Sequence, residues 1–350
     1  VRHEDQSSGA NLPAEVSPRA PAATNPWMVT KSPHCLVTGA TGYIGSRLVP
    51  VLLDRGMRIR VLARTPAKLD GAPWRSEIEV VQGDLTDPDS LGRACAGIDV
   101  AYHLVHAMGT AADFADAEQR GATALADAVR SNDVPRIVYL GGLHPDGAQL
   151  SRHLRSRTEV GRILCGSGAT TMVLQAGVVV GAGSASFEMI RYLTSRLPVM
   201  TTPRWVHNRI QPIAIADVLH YLAEAATAPL EGSRRSRTWD IGGPDILEYG
   251  DMMQIFADVA GRRRRVIVVL PWLTPTIASW WVGLVTPIPP GLARPLVESL
   301  HCDAVMAEHD IDAVIPPPPG GLTPYRRAVE LSLEQVGPAA LLPSDPAWAG

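Results

Sequence analysis

From residue 34 onward, short apolar runs rich in β-branched residues alternate with longer stretches in which apolar residues recur at helical spacing. The short runs predict strands and the longer stretches predict helices. This alternation predicts βαβ units around a mainly parallel sheet, and strands that are apolar throughout indicate that helices cover both faces. The predicted strands are 34–38, 58–63, 77–81, 99–105, 135–140 and 171–180, and the predicted helices among them are 43–55, 88–96, 111–131 and 152–167.

The same pattern divides the chain into four regions. The first residues mix Pro with Ser, Ala and Asn and lack hydrophobic periodicity, which predicts a disordered leader. Because the chain begins with Val and Met28 lies just before the first strand, we expect part of this leader to be a start-site artefact. The predicted regions are the leader 1–33, a core 34–180, a substrate-side region 181–310 with elements returning to the core, and a Pro-rich tail 311–350.

The composition excludes several classes of protein. Of the 350 residues, 46% are hydrophobic and 19% are charged, and the formal net charge is −3. These values exclude a wholly disordered chain, a collagen-like chain and a strongly basic nucleic-acid binder, so we expect no nucleic-acid partner. The four cysteines are far apart and form no Cys-x-x-Cys pair. We therefore expect no metal site and reduced thiols in a cytoplasmic protein.

One uncharged run, 266–293, raises the question of membrane contact, because four arginines directly precede it. A membrane-spanning helix needs about 20 consecutive apolar residues. Five prolines interrupt this run, and Trp280 and Trp281 lie in the middle rather than at the ends. The pattern favours a buried strand at 266–270 followed by a short packed helix. Peripheral contact with a membrane or a lipid-like substrate is the alternative.

The run His-Cys-Leu-Val-Thr-Gly-Ala-Thr-Gly-Tyr-Ile-Gly, which ends at Gly45, is the strongest motif in the sequence. It connects a predicted strand directly to a predicted helix. Gly39 permits a tight turn, Gly42 lets backbone N–H groups approach a pyrophosphate, and Gly45 lets the helix pack closely on the strand. The helix N-terminus then favours negative charge. The motif predicts a dinucleotide-binding site.

The residue that follows the second strand bears on the choice of dinucleotide. An acidic residue at this position would bind the ribose 2′-hydroxyl of NAD, whereas this sequence has Arg64, 19 residues after Gly45. A planar guanidinium suits a 2′-phosphate, and Lys68 follows one helical turn later. The sequence therefore predicts NADP(H) in preference to NAD(H).

Together these motifs resemble those of an atypical extended short-chain dehydrogenase/reductase (SDR). The resemblance is to the NmrA-like branch that includes relatives of the complex I 39-kDa subunit, and it covers roughly residues 34–310. It implies a Rossmann-type doubly wound parallel sheet with a small C-terminal substrate region. The segments on which it rests are 38–45, 83–85, 102–106, 136–143, 211–217 and 240–244.

The resemblance also implies roles for single residues. It implies that Asp84 lies near the adenine amino group, that Leu85 lies along the adenine ring, and that Leu104 and Val105 line the nicotinamide ribose. The complete set of predicted cofactor-binding residues is Gly39, Thr41, Gly42, Tyr43, Ile44, Gly45, Arg64, Lys68, Asp84, Leu85, Leu104 and Val105.

The catalytic pattern of the family is missing. Active SDRs use Tyr-x-x-x-Lys, in which the lysine lowers the tyrosine pKa so that the phenol exchanges a proton with the substrate. Here only Lys31 and Lys68 are lysine, and neither follows a tyrosine by four positions. The corresponding helix has His153 at the tyrosine position and Arg157 at the lysine position, and Gly141-Gly142 replaces the serine region.

Three interpretations of His153 and Arg157 stay open. In the first, His153 is a substitute proton donor and Arg157 binds the cofactor ribose or a substrate anion. In the second, Arg157 positions the cofactor in a protein that senses NADP(H) or holds a partner. In the third, both are surface residues of the helix.

From these observations we predict an NADP(H)-binding atypical SDR. Its predicted activity is that of an oxidoreductase or isomerase on an apolar small molecule, such as a quinone-like or isoprenoid-like compound. The alternative is a non-catalytic NADP(H)-sensing regulator or assembly protein. The uncharged run 266–293 adds membrane association as a further expectation for a cytoplasmic protein.

Overall fold

Seven parallel strands form the central sheet of the protein, for which we use a computed structural model. The structure describes residues 32–106, 114–145, 147, 150–230, 236–270, 285–335, 342, 345 and 346. The order across the sheet is β3-β2-β1-β4-β5-β6-β11, and every neighbouring pair is parallel. The sheet strands are β1 (His34–Thr38), β2 (Arg58–Ala63), β3 (Glu79–Gln82), β4 (Val100–His103), β5 (Arg136–Gly142), β6 (Thr170–Ala176) and β11 (Arg237–Ile241).

Helices cover both faces of this sheet. The helices with described bounds are α1 (Tyr43–Asp54), α2 (Pro88–Cys95), α3 (Phe114–Ser131), α4 (Arg152–Cys165), α5 (Ala185–Arg196), α6 (Ile215–Glu224), α7 (Tyr249–Val259), α8 (Pro290–Ser299) and α9 (Tyr325–Glu334). Apolar residues of α1 and α6 form one buried cluster with the sheet, and those of α2, α3 and α4 form another. The predicted Rossmann-type doubly wound parallel sheet is therefore confirmed.

The second half of the chain adds short strand pairs and a third apolar cluster. The short strands are β7 (Val179–Val180), β8 (Val199–Thr202), β9 (Arg209–Ile210), β10 (Ile213–Ala214), β12 (Leu247–Glu248) and β13 (Val266–Val269). They pair as β10 with β7, β12 with β9, and β13 with β8. Helices α5, α7, α8 and α9 contribute to the third cluster, whose large side chains include Phe187 and Phe256.

Several predicted boundaries differ from the structure. The predicted strand 171–180 is two strands, because the chain leaves the sheet after Ala176 and β7 pairs with β10 instead. The predicted helix 111–131 is described from Phe114, and residues 107–113 lie outside the described residues. Neither α8 nor α9 was predicted, and α9 lies within the predicted Pro-rich tail.

Two sequence predictions fall largely outside the described residues. These are the leader, of which residues 1–31 are not described, and the uncharged run 266–293, of which residues 271–284 are not described. In the described part of that run, β13 confirms the predicted strand, but Val266 and Val268 are exposed. The prediction that this strand is buried was wrong, because β13 pairs with β8 outside the central sheet. No helix within the described ranges is long and apolar enough to cross a bilayer.

The third apolar cluster yields a stability prediction. Phe187 is fully buried and packs edge-to-face on Phe256, with ring centroids 5.9 Å apart. We expect Phe187→Ala to lower the free energy of unfolding by about 3–5 kcal/mol, because it removes a buried ring and leaves a cavity. Urea denaturation measures the change. Ile246→Ala, at a side chain that is 52% exposed, is the control and should change it by less than about 0.5 kcal/mol. Equal effects of the two variants would contradict the assignment of this core.

Candidate functional site

The turn between β1 and α1 is crowded in a way that only glycine permits. Gly39 has φ +84°, in the left-handed region, and a Cβ on it would lie 2.8 Å from the carbonyl carbon of Leu104. A Cβ on Gly45 would lie 2.3 Å from the carbonyl oxygen of Gly39. The N–H of Gly42 donates to the same oxygen at 2.9 Å and closes the turn. The two outer glycines therefore let the helix rest directly on the turn.

The first turn of α1 is open toward the carboxyl end of the sheet. Gly42 is the N-cap residue, and no side chain caps the helix. The N–H groups of Tyr43 and Ile44 belong to the first turn, where helices leave such groups without an intrahelical partner. Thr41 lies half-buried in the turn beside them. Because the helix dipole favours negative charge at this end, the arrangement fits the pyrophosphate of a dinucleotide.

Arg64 and Asp84 meet at the ends of two adjacent strands. Arg64 follows β2 directly, its side chain is 82% exposed, and its Nε lies 3.9 Å from Oδ2 of Asp84. The N–H and hydroxyl groups of Thr86 donate to Oδ1 of Asp84 at 2.9 and 2.8 Å. These hydrogen bonds hold the pKa of Asp84 below its usual value, so the group is a carboxylate near neutral pH. The guanidinium is thus oriented loosely and is open to a ligand.

Two further predicted residues lie near this edge with different degrees of burial. Lys68 is exposed in a single 3₁₀ turn, Pro66–Leu69, that follows β2. Leu85 is half-buried and lies against α3, where a Cβ on Gly121 would be 3.4 Å from the Cβ of Leu85. The lysine is therefore available to an anion, and the leucine forms part of an apolar wall.

Leu104 and Val105 lie where the loops after β1 and β4 meet. The N–H of Leu104 donates to the carbonyl oxygen of Thr38 at 3.1 Å, which extends the strand pairing by one residue. The backbone of Leu104 and Val105 then passes directly beside Gly39. Since β2 and β4 flank β1 on opposite sides, this is the switch point of the sheet, where open α/β sheets bind ligands.

His153 and Arg157 both contact residues at the ends of β4 and β5. The His153 ring meets the His106 ring edge-to-face, with centroids 4.6 Å apart. The guanidinium of Arg157 donates to the carbonyl oxygen of Leu140 and lies 5.4 Å from the centroid of the Tyr139 ring. Both side chains are half-buried. The structure thus brings the two predicted residues to the same edge of the sheet as the glycine turn.

The histidines at this edge are held neutral by their surroundings. Burial, followed by the positive charge of Arg157, lowers the pKa of His103 to about 4. Burial, together with the neighbouring His106 and Arg157, lowers the pKa of His153 to about 3. His103 is held through Nδ1, which lies 3.3 Å from the hydroxyl of Thr38.

Sequence reasoning missed a buried acid–base cluster next to these residues. Nδ1 of His106 lies 2.8 Å from Oε1 of Glu118, and the hydroxyl of Ser156 donates to Oε2 of Glu118 at 2.5 Å. His106 is the last residue of 102–106, one of the segments on which the family resemblance rests, so the sequence did point to this position. Glu118 lies on α3 and Ser156 on α4, and no local pattern indicates that they meet.

Near the N-terminus of α1, Arg47 forms an ion pair with Asp345. Arg47 makes two hydrogen bonds to Asp345, at 2.9 and 2.7 Å, and the carboxylate side chain is only 1% exposed. The same guanidinium lies 4.0 Å from the centroid of the Tyr43 ring and donates to the carbonyl oxygens of Tyr43 and Ala182. The first turn of α1 is therefore tied to residue 345.

The segment after β7 provides structural contacts. Ser184 caps α5 by accepting from the N–H of Phe187 at 3.1 Å. Glu188 is fully buried, where it accepts from the N–H of Gly183 at 3.0 Å and from Arg191 at 2.5 Å. Burial raises the pKa of Glu188 despite these partners. Among the described residues, no three His, Cys, Asp or Glu side chains are grouped to hold a metal ion.

Residues 39–174 match a family model described as NAD(P)H-binding. The glycine turn, Arg64, Asp84 and the His106–Glu118 cluster all fall within this match. The chain therefore contains an NAD(P)H-binding domain, as the glycine motif predicts.

Two relatives and one solved structure extend this result. A 3β-hydroxysteroid dehydrogenase/Δ5→4-isomerase of Mycobacterium tuberculosis is 36% identical over 122 residues, which span 32% of this chain and 32% of that protein. A ceramide reductase of Caulobacter vibrioides is 29% identical over 200 residues, or 56% of this chain and 62% of that protein. The Escherichia coli NADPH-dependent quinone oxidoreductase complexed with NADPH has the same fold, with a TM-score of 0.66, 18% identity, and coverage of 84% of this chain and 98% of that chain.

These comparisons confirm the predicted resemblance to the SDRs. The NAD(P)H-binding domain has homologues in the extended and atypical SDR families, which are oxidoreductases of the Rossmann type. The matched stretch spans about a third of the length of the steroid dehydrogenase.

The crowding at Gly45 predicts a selective loss of cofactor binding. We expect Gly45→Ala to weaken NADPH binding at least tenfold, because its Cβ would push the helix away from the turn. Fluorescence titration with NADPH measures the affinity, and circular dichroism checks the fold. Gly92→Ala on α2 is the matched control, because a Cβ there meets nothing within 4 Å. It should leave binding unchanged and add up to about 1 kcal/mol of stability. Unaltered binding by Gly45→Ala would contradict the placement of the cofactor at this turn.

The buried His103 predicts a pH dependence of stability. Its native pKa is about 4, against about 6.5 in the unfolded chain, so between these values the unfolded chain binds a proton that the native protein does not. Its contribution to stability is complete above about pH 6.5 and falls as the pH is lowered toward 4, by up to about 1.4 kcal/mol per pH unit.

Urea denaturation of His103→Asn between pH 7.5 and 5.5 tests this. We expect the slope of unfolding free energy against pH to decrease by that amount relative to the parent protein. His309→Asn, at an exposed position, is the control and should leave the slope unchanged. A parent slope that persists in His103→Asn would refute the assignment.

Proposed function

We propose that this protein is an NADP(H)-dependent oxidoreductase acting on a polar, reducible group of an apolar small molecule. The observation that carries the cofactor preference is the position of Arg64. Its guanidinium is 82% exposed at the carboxyl end of β2, where an acidic residue would bind the ribose 2′-hydroxyl of NAD. A planar, permanently charged fork at this place is suited to a 2′-phosphate.

The remaining predicted residues would hold the rest of the cofactor. The open N-terminus of α1 would bind the pyrophosphate, and the close contact of Gly39 with Leu104 would let the nicotinamide ribose lie on backbone rather than on side chains. Asp84 and Leu85 would contact the adenine. When bound, the nicotinamide supplies or accepts a hydride. The residues of this chain bind and orient it, and provide the proton that the reaction also needs.

The apolar substrate is supported by the kinds of molecule that the relatives are named for. A sterol, a ceramide and a quinone each combine a reducible or oxidisable oxygen function with a large apolar body. An isomerase activity coupled to the same cofactor is a variant of this proposal, since the steroid relative is named for both reactions.

A non-catalytic NADP(H) sensor or assembly protein is the second candidate. The absence of Tyr-x-x-x-Lys from the sequence favours it, because a protein that only binds the cofactor needs no phenol of lowered pKa. NADPH consumption in the presence of a naphthoquinone or a 3-ketosteroid favours the oxidoreductase. Tight NADPH binding without consumption across a broad panel of quinones and ketones favours the sensor.

The cofactor preference is tested at Arg64. We expect the parent protein to bind NADPH at least tenfold more tightly than NADH, and Arg64→Gln to lose most of that difference. A charge-assisted hydrogen bond is worth about 1.5–3 kcal/mol, and about 1.4 kcal/mol corresponds to tenfold in affinity. Fluorescence titration with both dinucleotides measures it.

Arg162→Gln is the matched control for this titration. Arg162 is also strongly exposed, at 72%, and also has one carboxylate neighbour, but it lies on α4 and pairs with Glu159. Its replacement should leave both affinities unchanged. Equal affinity of the parent protein for the two dinucleotides would overturn the preference for NADP(H).

A further inference from the structure

Three side chains from three elements meet in a buried cluster beside the switch point. His106 follows β4, Glu118 belongs to α3 and Ser156 belongs to α4. The side chain of Glu118 is 6% exposed and that of His106 is 18% exposed. Each carboxylate oxygen of Glu118 has a partner, with Nδ1 of His106 at 2.8 Å and the hydroxyl of Ser156 at 2.5 Å.

The hydrogen bonds define which nitrogen of His106 carries the proton. Burial raises the pKa of Glu118, but the contacts with His106 and Ser156 and the charge of Arg157 together more than reverse this effect, and the group is ionised near neutral pH. An ionised carboxylate only accepts hydrogen bonds, so Nδ1 of His106 is the donor. In the neutral ring, Nε2 is therefore the basic nitrogen. A carboxylate that fixes the tautomer of a histidine in this way is a common arrangement for proton exchange.

The position of the ring agrees with such a role. His106 comes two residues after Leu104, whose backbone contacts Gly39 of the glycine turn. Its ring also meets the ring of His153, the residue at the tyrosine position of the SDR pattern. The cluster thus lies between the expected nicotinamide edge and the helix that carries the catalytic pair in ordinary SDRs.

We propose that His106, oriented by Glu118, is the proton-exchanging residue of this active site and replaces the missing Tyr–Lys pair, an inference that rests on the proposed oxidoreductase function. Ser156 and His153 are positioning residues. Ser156 holds the second carboxylate oxygen of Glu118, and His153 limits the movement of the His106 ring. Arg157 cannot exchange a proton, because a guanidinium stays charged in proteins.

The proton transfer balances with the hydride transfer. In carbonyl reduction, the N–H bond at Nε2 of protonated His106 breaks, and its proton forms the O–H bond of the product alcohol. A reduced nicotinamide bound at the switch point would supply the hydride, with both electrons, to the carbonyl carbon. His106 returns to the neutral ring and is reprotonated by solvent, while Glu118 stays ionised throughout. Alcohol oxidation uses the same groups in reverse.

Several charged and titratable groups face His106 and set its protonation. Burial and the charge of Arg157 lower the pKa of His106, and Glu118 raises it by less, so its pKa lies below the usual value. His103 on β4 and His153 on α4 are the other titratable neighbours, and both have lowered pKa values. The ring is therefore largely neutral near pH 7, which suits a base for alcohol oxidation. Carbonyl reduction should be faster at lower pH.

Glu118→Gln tests the proposal by removing one charge with little change of shape. We expect the His106 pKa to fall by about one pH unit or more, since a negative neighbour at this distance favours the protonated ring. Proton NMR titration of the cofactor-free protein measures it, with the His106 resonances assigned from the spectrum of His106→Asn. In turnover of a 3-ketosteroid, the decline of kcat/KM with rising pH should move to lower pH by the same amount.

The His106→Asn variant measures how much His106 contributes to catalysis. We expect kcat for 3-ketosteroid reduction to fall about 100-fold or more, with the affinity for NADPH unchanged within about threefold. Glu159→Gln is the matched control, because Glu159 forms an ion pair with Arg162 on the outer side of α4. It should change neither the His106 pKa nor the pH profile. If His106→Asn unfolds, Ser156→Ala gives a milder test of the same hydrogen-bonded cluster and should lower kcat while leaving KM for NADPH unchanged.

The outcomes separate this proposal from the proposed function. Turnover by the parent protein that persists in His106→Asn would overturn the role of His106 and leave the oxidoreductase intact. An unchanged His106 pKa in Glu118→Gln would overturn the orienting role of Glu118, whatever the activity. A parent protein that binds NADPH and reduces none of the quinones or ketones would overturn the oxidoreductase, and with it the catalytic use of this cluster.

Discussion

The close approach of the β1–α1 turn to the chain leaving β4 determines the geometry of the whole site. A side chain at Gly39 would collide with the Leu104 backbone, and the N–H of Leu104 is bonded to the last residue of β1. The surface where the loops after β1 and β4 meet is therefore formed by main-chain atoms, which changes of side-chain rotamer cannot displace. The same contact fixes where the chain goes next, so the position of His106 follows from a backbone constraint two residues earlier.

The charged and titratable groups at the ends of β4 and β5 lie around the guanidinium of Arg157. The positive charge of Arg157 adds to burial in keeping His103 and His153 neutral. Glu118 is the neighbouring negative group, and it is held by two hydrogen bonds. In a chain with two lysines among its 32 basic residues, this positive charge is a guanidinium rather than an ammonium group.

The sequence was informative where the determinants are local. The glycine turn and Arg64 follow from the type and spacing of neighbouring residues, and the central strands follow from short apolar runs. The contact between His106 and Glu118 could not be predicted, because it depends on how α3 packs beside β4. Helix α9 had a usable signal, since four of its buried residues recur at helical spacing, but the prolines before it masked the pattern.

The ion pair between Arg47 and Asp345 links α1 to residue 345. Any version of the protein that is expressed with an earlier C-terminus lacks this carboxylate. Without that carboxylate, the guanidinium over the Tyr43 ring would be an uncompensated positive charge one turn inside the anion-binding end of α1. Such a charge strengthens the attraction of any phosphate for this end, whether or not the phosphate is recognised specifically. Dinucleotide affinities measured on versions of this protein that differ in where the chain stops are therefore not interchangeable.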